Sequence, residues 1–395
     1  MVDAIALRDA GGPKDRLADI AGTIATAGPA SNDELATYAE LARQAAHGPA
    51  QDPAWVAAWI GATGADALVV TLRVSGTPVL ALALEIRREG AFRTARFIGG
   101  KHANGNFPVA DRPWLDMAGT AEIEAVVGAI ARARPDIDLV AFDRLSADFD
   151  GLPNPLLRLP STPSPNVALA VDLTGGFDAV LGRTSGKKKA KRHRSQERKY
   201  EDVGGARRVV ARSQTETDAM LDAFFTMKAQ RFRAMGITDV FGSAEVQAFF
   251  RRLFAEALGS SRPPFLLHGL EVGGKYRAVT GSSRAGNRFI CEFGAIADDD
   301  LGHISPGEYL FFDNIAEACE QGFSIYDFSV GDEPYKRQWC DVELRHHDVL
   351  MPLTAKGKAL ALSLRAATRA KALVKNSPGL WQFVKRARAG LRGRD

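Results

Sequence analysis

One order of structural elements is written twice along this chain, and that constrains its fold more than any other feature. In the first half, strand-like runs at Ala67–Val74 and Val79–Arg87 are joined at Ser75-Gly76-Thr77. A third run, Phe92–Ile98, follows the Glu89-Gly90 turn, and then come a glycine-rich loop, a helical pattern over Ala121–Arg134 and a strand at Ile137–Phe142. In the second half, Phe265–Val272, Tyr276–Ser283 and Arg288–Ile296 form the meander, followed by a loop, a helix over Pro306–Gln321 and a strand ending at Val330. The stretch PNPLLRLPSTPSP, 153–165, reads as a linker or rigid connection between the halves. The duplication is one of architecture, since the residues themselves are not visibly repeated. Helices are expected over 177–202 and 215–258, and in the tail over 356–375 and 380–392. The expected fold is mixed α/β: a first domain at 1–165, a second at 166–354, each a mixed sheet flanked by helices, and a basic helical tail at 355–395.

Composition supports a packed chain. Apolar residues make up 46% and charged residues 25% of 395 residues. Cys291, Cys319 and Cys340 are few and irregularly spaced, which argues against a disulfide framework. The start, MVDAIALRDAGGPKDR, shows no apolar signal region, and the longest apolar run, Val79–Leu84, is too short to span a bilayer. The expectation is a cytoplasmic protein. Its charge is uneven. Residues 355–395 hold eleven Lys/Arg and one acid, and Arg183–Lys199 hold nine Lys/Arg and one acid. Such blocks suit an anionic partner or a solvated helix face.

The segment HISPGEYLFFDNIAEACEQG, 303–322, reads as a helix with its own start and stop signals. Ser305 fits the N-cap, Pro306 the first helical position and Glu308 the third, which is a capping box; Gly322 fits the residue past the helix end. The unpaired N–H groups of a helix start also suit a phosphate, and Gly307 allows a ligand to approach the backbone. Further on, FSVGDEPYKRQW, 328–339, crowds two carboxylates, a phenol and an ammonium onto the end of an apolar strand. Polar groups gathered at a strand end are common functional positions.

Together these features resemble the GNAT acyltransferase fold, and make the two domains tandem GNAT-like units. The fingerprint Gln/Arg-x-x-Gly-x-Gly/Ala is replaced here by Gly302-His-Ile-Ser-Pro-Gly307. The combination of ISPGEYL, AEACEQG and YDFSVGDEPYKRQW resembles the CelD/BcsL-type acetyltransferases linked to polysaccharide biosynthesis, with DPAWVAAW, RFIGGKHANGNFPV and SGKKKAKRHRSQERKYEDVGG as further landmarks. The same two-domain build is similar to the Fem-type ligases, which use aminoacyl-tRNA. The resemblance implies an acyl-CoA donor, acetyl-CoA foremost, held by Ile304, Ser305, Pro306, Gly307 and Tyr309. It implies a sugar- or glycan-linked acceptor, shaped by the first domain, which lacks the Ser-Pro-Gly loop. Two alternatives stay open: a Fem-type tRNA-dependent ligase, and a non-catalytic scaffold of a polysaccharide synthesis system.

Acyl transfer needs a proton acceptor, and Glu292 on the strand Phe289–Phe293 or Asp332 after the last strand can supply it. Strand alternation places Glu292 on the face opposite Cys291 and Phe293. Tyr335 or Tyr309 can protonate the leaving thiolate, and Lys336 can hold an anionic group. No metal is expected: Cys340 with His346 and His347 lacks the ligands to complete a site. Gly182–Lys187 is not a P-loop. The basic stretch 183–199 has no apolar stripe, so as a functional element it guides an anionic acceptor, or tRNA in the ligase reading. The tail carries Leu360, Leu364, Leu373, Trp381, Phe383 and Val384 among its charges, which suits peripheral contact of 356–394 with the inner face of an anionic membrane, or docking on the protein itself.

Overall fold

The computed structural model describes residues 22–376 apart from Thr184, and no side chains from 371 onward. Each meander forms where alternation and turn residues place it. The first half gives β1 (Thr23–Pro29), α1 (Asn32–Ala42), α2 (Pro53–Thr63), β2 (Ala67–Val74), β3 (Thr77–Glu89), β4 (Phe92–Phe97), α3 (Thr120–Ala133) and β5 (Leu139–Ser146). After β6 (Ser161–Asp172), the second half gives α4 (Gly176–Arg183), α5 (Gly186–Glu201), β7 (Ala206–Val210), α6 (Gln214–Met235), α7 (Ala244–Ala257), β8 (Phe265–Val272), β9 (Lys275–Ala285), β10 (Arg288–Ile296), α8 (Pro306–Glu320), β11 (Ile325–Val330) and β12 (Val342–Pro352). The helical stretches expected at 177–202 and 215–258 are therefore each two helices.

The halves share a single sheet with the order β1-β2-β3-β4-β5-β12-β6-β11-β10-β9-β8-β7, and Val109–Ala110 adds a short pairing to β3. Parallel pairing occurs at β4–β5 and β10–β11. The centre is a reciprocal exchange. Strand β6, which leaves the first half, pairs with β11 of the second; β12, which leaves the second half, pairs with β5 of the first. The two exchanged strands then pair with each other. The Pro/Ser-rich stretch is thus a 3-10 turn, Pro155–Arg158, and the start of a central strand. Proline removes a ladder donor and is confined to edges. Pro163 and Pro165 satisfy this because β11 reaches only as far as Ala168, so that end of β6 has β12 alone beside it.

Alternation on β8 and β10 separates two faces. Phe265, Leu267, Ile290 and Phe293 join the large core with α2, α6 and α7; Leu266, Phe289 and Cys291 pack with α4 and α8. Helix α2 crosses α7 between the halves, with Phe249 edge-on to Trp55 and Trp59 at 4.9 Å each. Gly61 permits this approach, since a Cβ there would lie 2.0 Å from the Arg252 guanidinium. The first tail helix, α9 (Ala355–Asn376), docks on the sheet: Ala361, Leu360 and Leu364 pack against Leu139, Ala141 and Leu350. That apolar surface is spent on the protein. The helix expected at 380–392, with Trp381, Phe383 and Val384, lies outside the described residues. Among the described residues no helix is long and apolar enough to cross a membrane.

Candidate active site

The second half opens where its parallel pair separates. Strands β10 and β11 pair only through Arg288–Ile290 and Ile325–Asp327. Beyond that point β11 bulges against β6, with Ser329 at φ 60° and its N–H on Asp327 Oδ1 at 2.7 Å. Lys336 stabilises this strand end. Its Nζ donates to the Ser329 and Val330 carbonyls at 3.4 and 3.1 Å and pairs with Glu333 at 3.0 Å, and its side chain is buried. Lys336, expected as an anion holder, is thus engaged with the backbone. Asp332 is paired with Arg337 at 2.5 Å, and Arg337 also holds Glu343. Tyr335 lies at the split itself. Its ring stacks on Phe311 at 5.6 Å and meets Phe328 at 6.1 Å. Although 42% of the residue is exposed, desolvation of the phenol against its neighbours and the nearby Cys291 thiol raise it above the usual range. Cys291 is itself pushed up to about 12 by burial, so it is a thiol at neutral pH.

Glu292 faces the other side of the split. The β9–β10 register slips between Gly281 and Ser282, opposite Cys291 and Phe293. Because of this bulge Glu292 and Phe293 line the same cavity, which corrects the simple alternation expected from sequence. The cavity, of about 110 Å³, lies between the halves and is walled by Trp55, His102, Asn104, Phe241 and Phe250. Burial, with the Asp327 carboxylate adding to it, raises Glu292 to about 8, while a 2.5 Å hydrogen bond from Ser283 opposes the shift. Burial lowers His102 to about 4, so the imidazole is neutral at pH 7.

The loop before α8 is built differently from its sequence expectation. Ser305 sits at φ 64° and makes no side-chain cap, so the capping box does not form. A neighbouring helix takes over. Arg192 on α5 donates to Ser305 Oγ at 3.1 Å and pairs with Glu308 at 2.9 Å, and Gln196 donates to the Ile304 and Ser305 carbonyls at 2.6 and 3.2 Å. Arg192 neutralises the carboxylate that would otherwise repel an anion at this helix start. Ile304 and Pro306 are buried beneath the loop. At Gly307 a Cβ would lie 2.6 Å from Ile296 Cγ2, so the glycine keeps this surface low. Tyr309 stacks on His193 at 4.1 Å and meets Tyr200 edge-on at 5.4 Å, so it packs against α5, and Tyr335 is the phenol at the split. Opposite the packed face of α5, Lys187, Lys188, Lys191, Arg194, Arg198 and Lys199 are exposed.

The first half closes the equivalent split with its own chain. Strands β4 and β5 pair through Thr94–Arg96 and Leu139–Ala141. The chain then returns. Asn106 N–H donates to Arg144 O at 2.9 Å, Ser146 N–H to Asn106 O at 3.1 Å, and the Asn106 side chain to Asp143 O at 2.7 Å. Asn154 clips the plug by donating to the Asn106 and Ser146 carbonyls at 3.0 and 2.9 Å. Sequence reasoning missed Asn106, Ser283, His102 and Arg192, whose roles depend on partners distant in the chain. Among the described residues no His/Cys/Asp/Glu group is arranged to hold a metal ion.

Residues 187–337 match the family model described as acetyltransferase (GNAT) domain. FemX superposes with a TM-score of 0.55 at 12% identity, over 82% of this chain and 97% of that one. The C-terminal domain (DUF2156) of a protein described as a lysylphosphatidylglycerol synthetase, from Agrobacterium fabrum, superposes with a TM-score of 0.50 at 14% identity, over 84% and 94%. No curated protein matches the chain. The fold is mixed α/β with one order of elements repeated in two halves of a single sheet, and the second half carries a GNAT-type acyltransferase domain.

Proposed function

We propose that the protein transfers an acyl group, acetyl foremost, from acyl-CoA to an amine or hydroxyl of a sugar- or polysaccharide-related acceptor, as the CelD/BcsL resemblance implies. The observation that carries this reading is a buried carboxylate, Glu292, raised to about 8, beside the strand split of the second half and facing a cavity between the halves. A carboxylate tuned near the working pH is a competent general base. The donor's thioester supplies the activated carbonyl. The backbone edge of β10 beyond Ile290 suits the amides of a pantetheine arm, as a strand edge suits a peptide. The α8 start, with Ser305 and Gly307 on its outer side over the buried Ile304 and Pro306, and Arg192 beside it, suits a pyrophosphate. Glu292 takes the proton from the acceptor nucleophile as it attacks the thioester carbon. Tyr335 gives its proton to the sulfur as the C–S bond breaks. Lys336 fixes the loop that carries Tyr335. The first domain, its own split plugged, walls the acceptor cavity through Trp55, His102 and Asn104. Free cysteines suit a cytoplasmic setting.

The test is product analysis by mass spectrometry with acetyl-CoA and amino-sugar or glycan acceptors, wild type against Glu292→Gln. An acetylated product that the variant fails to make supports the reading. No product from any acceptor, with unaltered acetyl-CoA, sinks it.

The exposed cations on α5 favour a second reading, an aminoacyl-tRNA donor at the same split. Binding of tRNA that weakens steeply with salt, together with transfer of the aminoacyl group, distinguishes it.

A further inference from the structure

A second cavity, of about 230 Å³, lies at the centre of the sheet, where the exchanged strands meet. Its walls come from both halves: Asp143 and Arg144 at the end of β5, Ser164 and Asn166 on β6, and His346 and Asp348 on β12, with Thr368 of α9 at its rim. Two hydrogen-bond donors of this wall are committed to Asp348. Ser164 Oγ donates to Asp348 at 2.5 Å, and Arg144 N–H to the same oxygen at 2.8 Å. One nitrogen of the Arg144 guanidinium, Nη1, donates away, to the Lys101 and Ala103 carbonyls and Asn104 Oδ1 at 3.0, 3.2 and 2.6 Å. Arg144 holds φ 54°, a conformation that non-glycine residues adopt rarely and that tends to persist at ligand sites. Among the described residues the ion-pair partner of Asp143 is Arg96, at 3.8 Å. His346 is 3% exposed, and its Nδ1 has no hydrogen-bond partner among the described residues. Two carboxylates and an imidazole whose Nδ1 has no hydrogen-bond partner among the described residues gather acceptors around one cavity, which a cationic donor fits.

We propose that this cavity is a small-molecule site for an organic ammonium group, held by the Asp143 and Asp348 carboxylates with His346 beside them. It is smaller than the ~300–1,000 Å³ of drug-sized pockets, so it takes a compact amine. The site adjoins the catalytic cleft without being part of it. Val330 lines it one residue before the loop that carries Tyr335, and Arg144 ties it to the 101–104 wall of the Glu292 cavity.

The test is ligand-observed NMR on the full chain, with ethanolamine against ethylene glycol and glucosamine against glucose, for wild type, Asp143→Asn and Glu292→Gln. Acetyl-CoA binding is measured in parallel. The expected result is that at least one amine binds about tenfold or more tighter than its hydroxyl counterpart. Asp143→Asn removes that preference, whereas Glu292→Gln and the affinity for acetyl-CoA leave it and are left by it unchanged. The proposal is overturned if neither amine binds, if the hydroxyl counterparts bind equally well, if Asp143→Asn retains the preference, or if Glu292→Gln removes it. Loss of acetyl-CoA binding in wild type strikes the acyltransferase reading and leaves this site standing.

Discussion

Ser283 donates a 2.5 Å hydrogen bond to Glu292 across the β9–β10 bulge, and it is the main interaction opposing the upward shift that burial imposes on that carboxyl. Removing the hydroxyl removes a bond that favours the charged form. In Ser283→Ala the ascending limb of the kcat/KM profile against pH is expected to move above its wild-type position near 8. A limb that stays in place would separate the Ser283 contact from the catalytic titration.

Glu292→Gln is expected to lower kcat by about 10²–10⁴-fold and to abolish that limb. Its stability effect has a defined sign. The folded-state pKa, about 8, lies above the unfolded value, so protonated Glu292 contributes stability that is fully present below the unfolded pKa and lost as pH rises through 8. The neutral amide does not titrate. The Tm of the variant relative to wild type is therefore expected to rise between pH 6 and 9, in the alkaline part of the window set by this shift.

Lys336→Met tests whether the buried ammonium is structural. Its hydrogen bonds hold the Ser329 and Val330 carbonyls at the β11 bulge. Hydrogen bonds to charged groups contribute about 1.5–3 kcal/mol, so unfolding by denaturant is expected to show a loss of that order. Unchanged stability with lost activity would assign Lys336 to the chemistry.

Asn106 occupies the first half's split, and the second half's split is open. Calorimetry is expected to give one donor bound per chain. Two equivalent sites would contradict the plug.

The meanders and α8 were legible because each depends on residues close in sequence: turn glycines, alternation, a Pro at a helix start and Gly322 past its end. Glu292 was legible as a carboxylate on the right strand. Its orientation was not, since a bulge is a relation between two strands. Ser305 illustrates the same limit. Its local pattern fits a capping box, yet Arg192, far away in the chain, takes both capping partners. The start of β6 reads as a linker in sequence because Pro163 and Pro165 are poor strand residues anywhere except beside a strand that has already ended. The exchange of β6 and β12 carries no local signal at all. Lys336 looked like a ligand contact because composition does not show burial.

Calorimetric titration with acetyl-CoA, wild type in parallel with Gly307→Trp, tests the central claim most directly. Ile296, the side chain nearest a new Cβ at 307, is 42% exposed and can turn aside, so the fold is expected to survive the substitution, as a thermal melt would verify. The account predicts binding at one site per chain in wild type and its loss in the folded variant. No heat from wild type at high protein concentration, or equal affinity in the two proteins, would contradict a donor site at the start of α8.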